Sequence, residues 1–570
     1  MKQSFLSLIA AGMLVSATPA PAGDASGAYL AARQARFDAD FAAAAEYFGR
    51  VLKADPDNAA ILENAVIAYM ALGQFDKAFP VARKMEAAGL KSQLPHMALI
   101  AQEVRDEAYD AIMARLEDGR GIGDLADGLL ASWAELGRGD MAAALAGFDA
   151  VAEQRGLRGF AIYHKALALA SVGDFEGADA IFSEQSDGPM QRTRRGVIAW
   201  AQILSQLDRN DQALALIEES LGNERDPEIS QLRSALAAGE SVAFSLVGTA
   251  RQGIAEVFYS LGRALQSDAS DDYTLLYSRI AEYLNPDHID AVLMSAGLLE
   301  SLQRHELATK AYQSVPRDHP SFHAAELGRA EALRRSGKTD AAVEVLSRLA
   351  QTHPDLPIVH VSAGDLYREL SRFEDAASAY DKALALYDDG DSRRWFVLYA
   401  RGISHERLGE WPAAEADFRA ALEINPDQPQ VLNYLGYSLV EQKTKLDEAL
   451  NMIERAAEAR PESGYIVDSL GWVLYRLGRY DEAIGHMERA AELMPVDPVV
   501  NDHLGDVLWA VGRYTEARFQ WKRALSFVDK ENPSPDIDPD RIRRKLDIGL
   551  DRVLEQEGAP PLNRITSDDG

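Results

Sequence analysis

A chain of 570 residues, 47% hydrophobic and 26% charged, holds enough apolar material for one large core or several domains. Its formal net charge of −30 gives a surface that repels phosphate backbones and argues against nucleic acid as a partner. With no cysteine, the chain has no disulfide, thiolate metal site, catalytic thiol or Cys-linked lipid.

The first residues, MKQSFLSLIAAGMLVSATPAPAGDASG, carry a positive charge at Lys2 and an apolar stretch over 5–15. That stretch is too short to span a bilayer, and Ala20-Pro21-Ala22 supplies a small-residue cleavage site. Residues 1–22 read as a signal peptide cleaved after Ala22. The expected mature chain is exported to a bacterial periplasm, peripheral to the outer membrane, with no later transmembrane segment.

Residues 23–227 read as a degenerate N-terminal solenoid of helical hairpins. In 25–58, Ala44, Phe48 and Pro56 keep register; in 59–91, Leu62, Tyr69, Gly73 and Ala78 do. Residues 92–226 hold about four weaker hairpins, of which ALALASVGDFEGADAIF (166–182) is the clearest. The segment 228–254 fits the register poorly and reads either as a break or hinge, or as a drifted repeat. A C-terminal solenoid is expected over 255–533, with QSDASDDYT (266–274) lengthening a turn in its first unit and clear units at 289–322, 323–356 and 357–390.

The period of that solenoid is explicit. Pro286, Pro320 and Pro354 stand 34 apart. Gly402, Gly436, Gly471 and Gly505 step by 34, 35 and 34, and Ala414, Ala449, Ala483 and Ala517 by 35, 34 and 34. Within 464–497, Val467, Leu470, Gly471 and Leu474 have helical spacing, Gly478 breaks the chain, and Asp481-Glu482 open a second helix that Pro495 follows. Gly471 is expected to face Ala483, so that two helix axes approach closely. A hairpin of this kind cannot bury its apolar face alone, so neighbours must stack. The pattern is that of the tetratricopeptide repeat: Leu398, Gly402, His405, Ala414, Phe418 and Pro426 in one unit; Asn501, Leu504-Gly505, Leu508, Ala517 and Trp521 in another. The fold class is all-α, a tetratricopeptide-repeat superhelical solenoid. Residues 534–556 read as a capping helix, with apolar residues at Ile542, Leu546, Leu550 and Leu554, and 557–570 as a flexible tail.

Catalytic motifs fail on context. EDGRGIGDLADG (117–128) lacks the preceding strand and the Lys-Ser/Thr of a phosphate loop, and HELAT (305–309) lacks the second histidine of a zinc protease helix. No G-x-S-x-G elbow occurs. The chain reads as a non-catalytic scaffold with no cofactor and no metal. Its candidate peptide-binding groove is the inner-helix stripe at the fifth, ninth and twelfth positions of the C-terminal units: Tyr399, Asn433, Tyr437, Asp468, Trp472, Tyr475, Asp502, Asp506 and Trp509. Aromatics alternating with Asn and Asp suit an extended or helical peptide. The same aromatics also occur as packing between repeats. The alternative function is a carbohydrate- or peptidoglycan-binding module that stacks sugars on this stripe.

The last units carry a further likeness, strongest over 425–527. Asn433-Tyr434-Leu435-Gly436-Tyr437, Asp468-Ser469-Leu470-Gly471-Trp472 and His503-Leu504-Gly505-Asp506-Val507-Leu508-Trp509 resemble a proteobacterial family of large exported tetratricopeptide proteins. That family includes the outer-membrane lipoprotein adaptor of a carboxy-terminal processing protease in Pseudomonas. The resemblance implies protein partners: such a protease, and the cell-wall hydrolases presented to it. Lacking cysteine, this chain departs from the lipoprotein, so a lipid anchor is not carried over.

Overall fold

The computed structural model describes residues 24–90, 92–184, 193–222, 226–529 and 537–562. The leader read at 1–22 and the tail from 563 onward lie outside the described residues. Among the described residues there are 31 helices and no strand, and the fold is an all-α solenoid of helical hairpins. None of these helices is long and apolar enough to cross a membrane.

The chain divides into two compact units, Met1–Thr352 and His353–Gly570. The first contains α1 (Asp24–Phe37), α2 (Phe41–Ala54), α3 (Ala59–Ala71), α4 (Phe75–Ala87), α5 (Gln93–Arg105), α6 (Tyr109–Glu117), α7 (Asp124–Gly137), α8 (Met141–Ala152), α9 (Arg158–Ser171) and α10 (Phe175–Glu184). It continues with α11 (Arg194–Gln206), α12 (Asn210–Leu221), α13 (Pro227–Ala237), α14 (Ala250–Leu265), α15 (Asp271–Leu284), α16 (Ile289–Ser301), α17 (His305–Gln313), α18 (Phe322–Arg335) and α19 (Thr339–Thr352). The second contains α20 (Pro357–Glu369), α21 (Phe373–Leu386), α22 (Arg394–Arg407), α23 (Trp411–Ile424), α24 (Pro429–Glu441), α25 (Leu446–Ala459), α26 (Gly464–Arg476) and α27 (Tyr480–Leu493). It ends with α28 (Pro498–Ala510), α29 (Tyr514–Phe527), α30 (Pro539–Ile548) and α31 (Leu550–Gln556).

Local chemistry sets the hairpins. α2, α3, α8 and α28 begin on Asp40, Asn58, Asp140 and Asp497, whose side chains accept hydrogen bonds from first-turn amides. α26 ends where Gly478 takes φ +78°, which lets the Arg479 amide reach back to the Leu474 carbonyl at 2.9 Å. Close approach within a hairpin falls on the glycine row. A Cβ at Gly402 would lie 2.7 Å from the Phe418 ring. Gly471 makes room for Met487, one turn beyond the expected Ala483.

Two features depart from a plain array. In the first unit, α14 is buried on nearly every side, with Gly253, Ile254, Ala255, Glu256, Val257 and Phe258 all out of solvent in succession. Such a helix belongs inside a structure rather than on its surface. α14 lies against α7 and α9, and α15 against α3 and α5. The segment 228–254 begins inside α13, and from 240 to 248 it runs as irregular chain. There it is tied to α11: Ser245 N donates to Gln202 Oε1 (3.0 Å), and Val242 N to Ser205 Oγ (2.9 Å). In the second unit, the expected single capping helix is two, α30 and α31, broken at Gly549 with φ +83°. The Trp509 ring forces the break's close approach, since a Cβ at Gly549 would lie 2.7 Å from it.

Candidate functional site

The inner helices of the second unit, α20, α22, α24, α26 and α28, carry the predicted stripe. The sequence reading treats its residues as one open surface, and much of the stripe is closed. Asn433, Asp468, Trp472, Tyr475, Asp506 and Trp509 are buried. Tyr399, Tyr437 and Asp502 are half-buried. The stacking of repeats explains this: the fifth and ninth positions of one inner helix turn toward the inner helix of the next repeat.

Asp468 and Trp472 show the arrangement. His503 of α28 lies flat on Trp472, ring centroids 3.9 Å apart and planes within 12°. Its Nδ1 is 2.9 Å from Asp468 Oδ2. Burial opposes charge on His503, but the Asp468 carboxylate outweighs it and raises the imidazole pKa. Tyr475 stacks on the other side of Trp472 at 4.9 Å, and Trp472 Nε1 donates to Glu441 of α24 (2.9 Å). Burial, with Asp506 nearby, pushes the Tyr475 phenol well up.

One repeat later the same places are filled by the cap. Lys545 of α30 is wholly buried, and its Nζ donates to Asp502 (2.7 and 2.9 Å) and Asp506 (2.6 Å). Trp521 Nε1 donates to the other side of this cluster, at Asp506 Oδ1 (2.9 Å). Trp509 Nε1 donates to Asp551 of α31 (2.9 Å). Asp502, Asp506 and Trp509 are therefore covered by the chain's own cap.

What stays open lies earlier on each inner helix. Ile358, Phe396 and Tyr465 are exposed large apolar side chains on α20, α22 and α26. Each stands six residues before its helix's packing glycine, Gly364, Gly402 and Gly471, and Gln430 holds the same place on α24 before Gly436. That register was readable, and the sequence reading passed over it because it followed the aromatics at later positions. Tyr399 lies beside this row, edge-on to Tyr434 at 5.9 Å. Burial, with the Tyr465 phenol nearby, pushes the Tyr399 phenol up to about 12. Between the Phe396 and Tyr465 helices, α24 presents two buried amide oxygens, Gln430 Oε1 and Asn433 Oδ1, that have no hydrogen-bond partner. Among the described residues no group of acidic or histidine side chains could hold a metal.

Comparison with known proteins agrees with the hairpin geometry. The tetratricopeptide-repeat family matches at 293–357, 327–391, 361–429, 399–445 and 439–498, and a second family of tetratricopeptide repeats matches at 38–79. A "TPR repeat-containing protein" of Pseudomonas aeruginosa is 28% identical over 193 residues, which is 34% of this chain and 32% of that protein. The chain thus matches about a third of the length of this curated relative. Among solved structures, "Crystal structure of APC/C hetero-tetramer Cut9-Hcn1" aligns over 93% of this chain and 97% of that one at 14% identity, with a TM-score of 0.40. "Crystal structure of YrrB: a TPR protein with an unusual peptide-binding site" covers 32% of this chain and 93% of that one at 21% identity, TM-score 0.27. Superpositions this loose carry no argument about function. The family matches and the observed hairpins together make this a tetratricopeptide-repeat protein, with its repeats matched over 38–79 and 293–498.

Proposed function

We propose that the chain is a non-catalytic protein-binding scaffold whose second unit grips a peptide segment across α20, α22, α24 and α26. The carrying observation is the pair of unpartnered amide oxygens, Gln430 Oε1 and Asn433 Oδ1, set between the exposed rings of Phe396 and Tyr465. A buried acceptor without a donor costs about 1–3 kcal/mol, which a peptide N–H recovers. Flanking aromatic and aliphatic side chains supply apolar anchors. The finer reading follows the sequence: export to the periplasm, and an adaptor role toward a carboxy-terminal processing protease or cell-wall hydrolases. The sugar-stacking alternative has less support, because both faces of Trp472 lie against His503 and Tyr475.

A photo-crosslinking amino acid placed at Phe396 or Tyr465, and at exposed Arg489 on the outer helix α27 as control, tests the face in cells. Crosslinked proteins specific to the two inner positions are expected, with a processing protease or murein hydrolase among them for the adaptor role. Identical products at all three positions would remove the groove reading.

A further inference from the structure

The first unit already holds a ligand of its own making. α15 is pinned along the early hairpins: Arg36 pairs with Asp272 (2.6 Å), Arg279 Nε donates to the Ala71 carbonyl (3.1 Å), and Tyr283 stacks on Phe75 with centroids 4.3 Å apart. α14 continues that path across α7, α9 and α11, and it meets them through three side chains at helical spacing.

The first is Gly253. The Trp133 indole of α7 lies so close that any Cβ at 253 would enter the ring's contact shell. The second is Glu256, 1% exposed. Its carboxylate accepts from Tyr163 OH of α9 (2.9 Å) and from two nitrogens of Arg195 of α11 (2.7 and 3.1 Å). His288 completes the shell from the start of α16: its Nδ1 accepts from the Ala291 amide, so Nε2 donates to Glu256 (3.0 Å). The third is Ser260. His164 of α9 accepts from Trp133 Nε1 at Nδ1 (3.2 Å), which leaves Nε2 to donate to Ser260 Oγ (3.2 Å).

Trp133, Tyr163, His164 and Arg195 all belong to the hairpins, and their polar atoms are satisfied by α14. Without that helix, an arginine, a tyrosine and a histidine on this face would lose their partners. A bidentate guanidinium–carboxylate pair beside an indole that admits only glycine is a selective arrangement. The surface reads a sequence: a small residue, an acid three positions on, and a small hydroxyl four further.

We infer that the inner face of the first unit's hairpins is a receptor for an amphipathic helix with this small–acid–hydroxyl pattern, that α14–α15 occupies it in cis, and that a partner helix of the same pattern reaches it only when that hairpin leaves. This face is distinct from the one proposed above in the second unit, and neither reading depends on the other.

The test uses the full chain and a labelled peptide of residues 250–265. Gly253→Leu in the chain drives α14 off Trp133, while the peptide keeps its glycine. The peptide should bind G253L and not wild type. Glu256→Gln in the peptide should weaken binding roughly tenfold or more, as loss of a charge-assisted bond does. Binding indifferent to E256Q overturns the inference. So does failure to bind by a G253L chain that keeps its helicity and shows α14 exposed to hydrogen exchange. If G253L unfolds or keeps α14 seated, a second chain decides: a protease site within 241–246 allows cutting between α13 and α14. The two pieces should stay together after cutting, and Glu256→Gln should raise their dissociation constant roughly tenfold. Separation on cutting, or a dissociation constant unmoved by E256Q, overturns it.

Discussion

Trp472 and Phe396 look alike in a sequence stripe and differ in what removal should do. Trp472 is sandwiched between His503 and Tyr475, so Trp472→Ala should cost about 3–5 kcal/mol in chemical denaturation of the second unit. Phe396→Ala, on an exposed ring, should change stability by about 0.5 kcal/mol or less while weakening capture of a partner. Lys545 makes a sharper case. Lys545→Met leaves Asp502 and Asp506 facing each other out of water, where burial already raises the Asp502 pKa, and should cost about 3–5 kcal/mol. Adding Asp502→Asn and Asp506→Asn should restore part of that loss. A K545M chain as stable as wild type would show that the cluster contributes nothing. The packing residues were legible because glycine, alanine and proline rows repeat. The partners of Asp468 and Trp472 were not, because the angle at which one repeat stacks on the next leaves no mark within a single repeat.

At the scale of elements, the sequence marks hairpins well and their destinations poorly. The turn at 266–270 was visible as an interruption, and it joins α14 to α15. That these two helices lie inside the preceding hairpins follows from contacts with residues as far back as Arg36, which no periodic pattern encodes. The clue that existed was the unbroken burial-ready run GIAEVF at 253–258, which has no solvent face for a repeat to present. The cap is the counterpart in the second unit. Arg518 of α29 donates to the Leu546 carbonyl, Arg541 and Arg544 pair with Glu557, and the Trp509 ring rests on Gly549. Deleting 537–562 should therefore shift tryptophan emission to the red and lower the unfolding temperature of the second unit, leaving the first unchanged. An unshifted spectrum would mean that the cap does not shield Trp509 in solution.

At the scale of the molecule, the two units should answer pH in opposite directions. In the first, burial lowers the His164 pKa to about 4, with Glu256 pulling weakly the other way. An unfolded imidazole near 6.5 takes up a proton that the folded one refuses, so this unit loses stability as pH falls from about 6.5 toward 4. Glu256 adds to the slope: burial opposes its charge, Arg195 and His288 hold its carboxyl far below the usual range, and that stabilisation is lost as acid protonates it. In the second unit His503 has a raised pKa. Its contribution is complete below the ordinary imidazole value and disappears as pH climbs through the raised one. Calorimetry across pH should resolve two transitions, and His164→Asn and His503→Asn should each flatten one of them. Parallel slopes that neither substitution alters would contradict this.

The same buried contacts give the array a direction. Each acid on an inner helix waits for a base from the repeat after it: Asp468 finds His503, and Asp502 with Asp506 find Lys545. Lys545 belongs to no repeat, so the last acid pair is answered by a terminator. Lengthening by duplication is therefore tolerated only upstream of α28. A copy appended after α29 would strand two carboxylates at the junction, and the number of repeats before the cap is heritable in one direction alone.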